Sequence, residues 1–175
     1  MRIVPGGLRV SMAAATATAV AAALFSVAPL SPAGAASYAT ASQLYDGGQV
    51  EAAIAEYREL AESGHAAAQV ALAGLYESGE VTGAPDARAA ARWYRRAAEQ
   101  GEAVAQMNLG DLYARGRGVK RDWVRAWVWL TRAARQGFDW AARRRDEVAR
   151  RMTRPELEAA RRRLSGTAPD IVGGD

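Results

Sequence analysis

The sequence contains no cysteine, one histidine (His65) and one lysine among its 23 basic residues. Without cysteine there is no disulfide, no thiolate metal site and no cysteine nucleophile. A single histidine cannot build the multi-histidine cluster of a zinc enzyme, and the commonest carrier of protons in general acid–base catalysis is almost missing. His65 sits in ESGHAAAQ, where a turn leads into a helix, and reads as a solvated helix-start residue. No Ser-x-x-Lys motif is present, and no pair of carboxylates stands in a catalytic setting. The glycines of LYARGRGVKRD (112–122) do not supply a phosphate loop. Gly116-Arg117-Gly118 is followed by neither a Gly-Lys-Ser/Thr nor a third glycine after a strand. They read as a turn. The expectation is therefore no catalytic residue, no cofactor and no metal.

One sign of charge is scarce in each half. Residues 36–82 hold one basic residue (Arg58) against seven acids, a net −6, whereas residues 83–164 hold twenty basic residues against ten acids, a net +10. Such asymmetry speaks about partners and not about fold. It fits a solvated arginine-rich surface. It also fits a basic patch for an anionic lipid surface, an acidic protein or an envelope polymer, with Arg143, Arg144 and Arg145 as its densest point.

Charge is absent altogether from Ser11 to Leu30, a run bracketed by Arg2 and Arg9 before it and Ala33-Gly34-Ala35 after it. A basic start, an apolar stretch and small residues match a secretory signal over residues 1–35, with cleavage after Ala35. The rival is an uncleaved anchor facing the periplasm, because about 20 apolar residues span a bilayer. Either way the chain is expected outside the cytoplasm, in the periplasm, away from nucleic acid. The cleaved form keeps no stable membrane span.

What is present in abundance is repetition, the first thing to establish in a helical chain. Residues 65–101 align with 102–137 at a period of 36–37 residues. Ala68-Gln69 falls on Ala105-Gln106, Leu75-Tyr76 on Leu112-Tyr113 and Gly79 on Gly116. Beyond the turn, Asp86 falls on Asp122, Trp93 on Trp129, Ala97-Ala98 on Ala133-Ala134 and Gly101 on Gly137. Each copy reads as two helices. Ala105, Leu109, Leu112 and Tyr113 form one apolar stripe at i, i+4, i+7, i+8, and Ala126, Trp129, Leu130, Ala133 and Ala134 form another. Asp86 and Asp122 stand where an N-cap oxygen accepts a backbone N–H. Gly101 and Gly137 stand where a left-handed residue ends a helix. Residues 36–64 hold a degenerate third copy, keeping Leu44-Tyr45, Ala53, Tyr57, Ala61 and Gly64 but lacking the tryptophan. After Gly137, residues 138–165 carry two more helical patterns. The second opens on Thr153-Arg154-Pro155-Glu156, a capping box with proline in its first turn. Residues 166–175 read as a disordered tail.

The segment AQMNLGDLYARGRGVKRDWVRAWVWLTRAARQG resembles the Sel-one-like repeat (SLR) family, relatives of the tetratricopeptide solenoids, through its Ala-Gln, Leu-Gly, Tyr, Gly-x-Gly-Val, Asp, Trp and Ala-Ala. The 65–101 copy departs in its turn, SGEVTGAPD, and has Ala73 in place of Gly110. The resemblance implies an all-α protein of about eight helices. The form is a right-handed α-solenoid of antiparallel helix pairs with C-terminal capping helices, which a solenoid needs to cover its last repeat. Trp93 and Trp129 are then core residues. The resemblance also implies a groove lined by the first helix of each repeat. By register that groove carries Gln43, Asp46, Val70, Glu77, Val104, Met107 and Asp111, whose acids suit a basic partner segment. Val124 and Val128 are apolar where the preceding copy has Arg88 and Arg92. They form either a sticky patch with Trp127 or a surface under the terminal helices. Two functions follow. One is a non-enzymatic envelope adaptor that binds a protein or peptide partner. The other is cell-wall chemistry, as in some exported relatives that are cysteine-rich, or capture of an anionic envelope component by the arginine-rich end.

Overall fold

The computed structural model describes residues 37–166. The leader over 1–35, its cleavage point and the tail from 167 lie outside the described residues. Within them are eight helices and no strand. They are α1 (Tyr38–Asp46), α2 (Val50–Glu62), α3 (Ala66–Ser78), α4 (Ala87–Glu99), α5 (Ala103–Arg115), α6 (Trp123–Arg135), α7 (Asp139–Ala149) and α8 (Arg154–Leu164).

Helix starts follow local chemistry. The side chain of Asp86 accepts from the Ala89 N–H and that of Asp122 from the Arg125 N–H, both at 2.9 Å. His65 caps α3 by accepting from Ala68 through Nδ1 at 3.3 Å. The box at α8 is complete, with Thr153 and Glu156 satisfying each other's backbone N–H. Each such cap contributes about 1 kcal/mol by pairing an otherwise orphaned donor. Gly101 and Gly137 follow α4 and α6 with φ of 93° and 92°.

From α1 to α7 each helix packs on the next, and α8 turns back onto α6. The result is an α-solenoid of helix pairs. Alanines at the crossings (Ala73, Ala90, Ala97, Ala105, Ala126 and Ala133) are fully buried, and their small side chains let helix axes approach closely. Leu72, Leu109, Tyr113, Trp129 and Leu130 fill the space between layers. At the α5–α6 crossing, a Cβ on Gly110 would lie 2.7 Å from Leu130 Cγ, so only glycine fits without a shift. The core has two parts. One joins α1, α2 and α3, the other runs from α3 to α8, and Tyr76 and Trp93 border both. Trp129 is 2% exposed, whereas Trp93 is half-buried with Arg96 over its ring at 4.5 Å. The tryptophans thus differ, because Trp93 lies at the seam between the two parts.

The repeated Ala-Gln has a structural reason. Gln69 donates to the Ala61 carbonyl and Gln106 to the Ala98 carbonyl, each at the end of the preceding repeat. Gln100 donates to Gln69 Oε1 at 2.8 Å and Gln136 to Gln106 Oε1 at 3.0 Å. Buried amides cost free energy unless paired, and here the pairing clips successive repeats together in one register.

Gly116-Arg117-Gly118 is a turn, as read from sequence. Gly116 ends α5 with a φ of 70°. Gly118, with φ 68°, lies directly against the first turn of α4, where a Cβ would overlap the carbonyl of Ala87. The connection from α5 to α6 therefore folds back on the previous repeat. Four residues (150–153) join α7 to α8, against seven (116–122) between α5 and α6. After this shorter link α8 seats on α6. Val128 is fully buried there, and Val124 and Trp127 are half-buried against the same core as Ala160 and Leu164. The apolar Val124–Val128 face is covered.

Candidate partner-binding surface

The groove positions differ in exposure and in what they touch. Gln43 and Asp46 are exposed on α1. Val70 on α3 and Met107 on α5 are half-buried and pack against the core, and Val104 is half-buried one turn before Met107. The acids are engaged inside the molecule. Glu77 Oε2 accepts from Tyr94 Oη at 3.1 Å, and its other oxygen lies 3.6 Å from Arg117 Nη2. Burial and the neighbouring Glu77 carboxylate push the Tyr94 phenol well above its ordinary pKa. Asp111 binds Arg115 at 2.6 Å and Arg144 at 2.8 Å. A basic partner segment at Glu77 or Asp111 must displace these partners.

The arginine-rich end is committed in part. Arg144, half-buried on α7, bridges Asp111 and Glu147. Burial opposes its charge, but the hydrogen bonds it donates to Glu147 and Asp111 outweigh burial and hold its pKa above the ordinary value. The same contact with Arg144 holds Glu147 below the usual carboxylate range. Arg145 pairs with Asp146 at 2.7 Å. Arg143 is exposed. The groove and the basic end are thus joined by the Asp111–Arg144 pair, a link that sequence register alone does not reveal.

A surface that sequence reasoning missed lies one repeat earlier. A cleft of about 790 Å³ runs between α4 and the 116–120 turn, lined by Arg88, Arg92, Arg95 and Lys120, with Ala91, Val119 and the two turn glycines between them. No acid lines it. Arg88, Arg92 and Lys120 are exposed and make no ion pair with the described acids. Arg95 is half-buried and fixed, donating through Nη2 to Tyr113 Oη at 2.8 Å. The signal was the i, i+4, i+7 spacing of Arg88, Arg92 and Arg95, which puts three guanidiniums on one face of α4. A charged helix face also fits plain solvation, and only the folded-back turn makes it one wall of a cleft.

Two other features bear on chemistry. Among the described residues no three His, Cys, Asp or Glu side chains group to hold a metal. Among them, too, no helix is long and apolar enough to cross a membrane.

Comparison with known proteins matches this geometry. A Sel1-repeat family model matches residues 66–102 and 103–138. A Sel1 repeat protein from Oxalobacter formigenes superimposes with a TM-score of 0.57 at 34% identity, over 63% of this chain and 85% of that one. A protective antigen present in uropathogenic Escherichia coli strains, with an SLR fold, superimposes with a TM-score of 0.59 at 34% identity. That match covers 62% of this chain but only 23% of the antigen. No match is found among curated protein sequences.

Proposed function

We infer, starting from the fact that this chain belongs to the Sel1-repeat family, that it is a non-enzymatic adaptor of the bacterial cell envelope, exported and holding a protein or peptide partner on its repeat surface. Sel1-repeat solenoids typically act as non-catalytic scaffolds that mediate protein–protein contact. One observation carries the reading for this chain. Its interior polar side chains are spent on assembly, through the Gln69–Gln100 and Gln106–Gln136 pairs and the Tyr94–Glu77 bond, while Arg88 and Arg92, without an ion pair among the described residues, are presented outside on α4. A side chain engaged in clipping repeats is not free to do chemistry. An exposed unpaired one is free to meet a partner. Export is supported by Arg2 and Arg9, the uncharged run from Ser11 to Leu30 and Ala33-Gly34-Ala35.

The test is chemical cross-linking in intact cells, followed by mass spectrometry of what is recovered with the chain. The expected outcome is one dominant protein partner, with the chain found in the periplasmic fraction and beginning near Ala36. A chain that keeps Met1 in the membrane pellet overturns the cleavage. Recovery of envelope polymer or lipid without protein overturns the adaptor.

A further inference from the structure

We propose that the cleft between α4 and the 116–120 turn is a binding site for an acidic peptide segment of a partner protein, with carboxylates seated on Arg88 and Arg92 and against Lys120. The proposal rests on the adaptor reading and names the chemistry of the partner that reading leaves open.

Three observations converge on it. The first is charge without compensation. Arg88, Arg92 and Lys120 have no carboxylate within 4 Å among the described residues; exposed arginines such as Arg143 and Arg150 share that state, and what sets the three apart is that they face one cleft lined by no described acid. The second is shape. Arg88 and Arg92 are one helical turn apart, about 6 Å along the axis, and Arg95 lies about 10 Å from Arg88. Acids two apart on an extended peptide point to one side at a spacing of about 7 Å, which suits that row. A volume of about 790 Å³ with Ala91 and Val119 between the cations is in the range that buries a sizeable ligand, not a lone ion. The third is what fills the corresponding place one repeat on. At the positions of Arg88 and Arg92 the next copy has Val124 and Val128, and there α8 of the chain itself packs on α6. The face is one on which this architecture seats a further segment. On α6 that segment is internal and apolar. On α4 no described helix fills that place, and the wall is cationic.

The cleft suits a peptide better than a lipid surface. Membrane docking joins basic residues with protruding apolar ones at a common face. The exposed large apolar side chains here are Tyr38, Tyr45 and Trp140, and none of them lines the cleft. Arg95, half-buried and donating to Tyr113 Oη, lines the cleft beyond Arg92 as a fixed wall.

The experiment is fluorescence anisotropy of the full chain with a labelled oligoglutamate peptide, with oligoglutamine as the neutral control. Binding should be specific to oligoglutamate and weaken with added salt. Arg88→Glu with Arg92→Glu should weaken it about tenfold or more. Arg143→Glu with Arg161→Glu changes net charge equally, and its effect should stay within about twofold. Lys120→Glu tests the opposite wall without touching α4, and unchanged helical circular dichroism certifies each fold. Equal losses from the two double variants would reduce the site to net charge and overturn the proposal. So would displacement of the peptide by inorganic phosphate at matched ionic strength, or cleft-dependent capture of phosphatidylglycerol vesicles in the absence of peptide binding. In the intact-cell cross-linking, loss of the partner from the Arg88/Arg92 variant supports the cleft. A partner retained by that variant removes the cleft and leaves the adaptor. An unaltered chain that cross-links nothing, yet binds oligoglutamate through the cleft, removes the adaptor and leaves the cleft.

Discussion

The two tryptophan-bearing repeats share a backbone plan and differ in what their second helices do. On α4, Arg88 and Arg92 face an open cleft. At the same register on α6, Val124 and Val128 lie beneath packed helices, with Val128 fully buried. Trp93 is half-buried at a seam while Trp129 is enclosed. Ala73 has room at its crossing, where Gly110 has none because Leu130 closes over it. Register decides which positions face another element. The element that arrives there decides whether the position must be apolar. In the terminal repeat the valines lie in the core that α6 shares with α8, and in the internal repeat the arginines stay exposed in the cleft beside the 116–120 turn.

Exchanging side chains between the copies should break this contrast most. Val128→Arg would bury a charge without a counterion, a loss on the order of 3–5 kcal/mol, whereas Arg92→Val should stay within about 0.5 kcal/mol. Urea denaturation of both variants checks it. Equal small losses would mean that α8 does not cover α6 in solution.

The tryptophans sharpen the comparison next. Trp129→Ala should cost about 3–5 kcal/mol, and Trp93→Ala roughly half as much, since only the first ring leaves a closed cavity. Denaturant midpoints of the pair would test this. An unchanged midpoint for Trp129→Ala would place its ring on the surface and revive a ligand-stacking role.

The smallest effect belongs to the cap of the covering helix. Glu156 is held below its ordinary pKa of 4.5 by the Thr153 backbone N–H and then by its hydroxyl. A carboxylate with a lowered folded-state pKa adds stability that is complete above its unfolded value and fades as pH falls through the folded one. The melting temperature of Glu156→Ala should therefore lie slightly below that of the parent at neutral pH, and the gap should narrow and close as pH falls below 4.5 and through the lowered folded-state value. A gap independent of pH would mean that the carboxylate's charge contributes nothing to the cap.

Much of the fold was legible in residues. Asp86 and Asp122 cap, Gly101 and Gly137 terminate, and Thr153 with Glu156 starts α8, because each depends on a hydrogen bond or dihedral within one turn of chain. The candidate surface was less legible. Glu77 and Asp111 read as groove acids, yet each is engaged with a residue on another helix or turn, Tyr94 and Arg117 for one and Arg144 for the other. Those partners lie 17 to 40 residues away, beyond any local pattern.

What the amino-acid order determined by itself is the solenoid, since helix periodicity, caps and a 36–37-residue repeat are local and restate themselves in each copy. Which arginines are spent and which are available was decided only in three dimensions. Arg144 meets Asp111 because α7 packs on α5, and Arg88 and Arg92 meet no described acid because the 116–120 turn folds onto α4 without bringing one. A charge is neutralised by whatever lies within a few ångströms of it, and that neighbour belongs to the packing of helices and not to the order of residues.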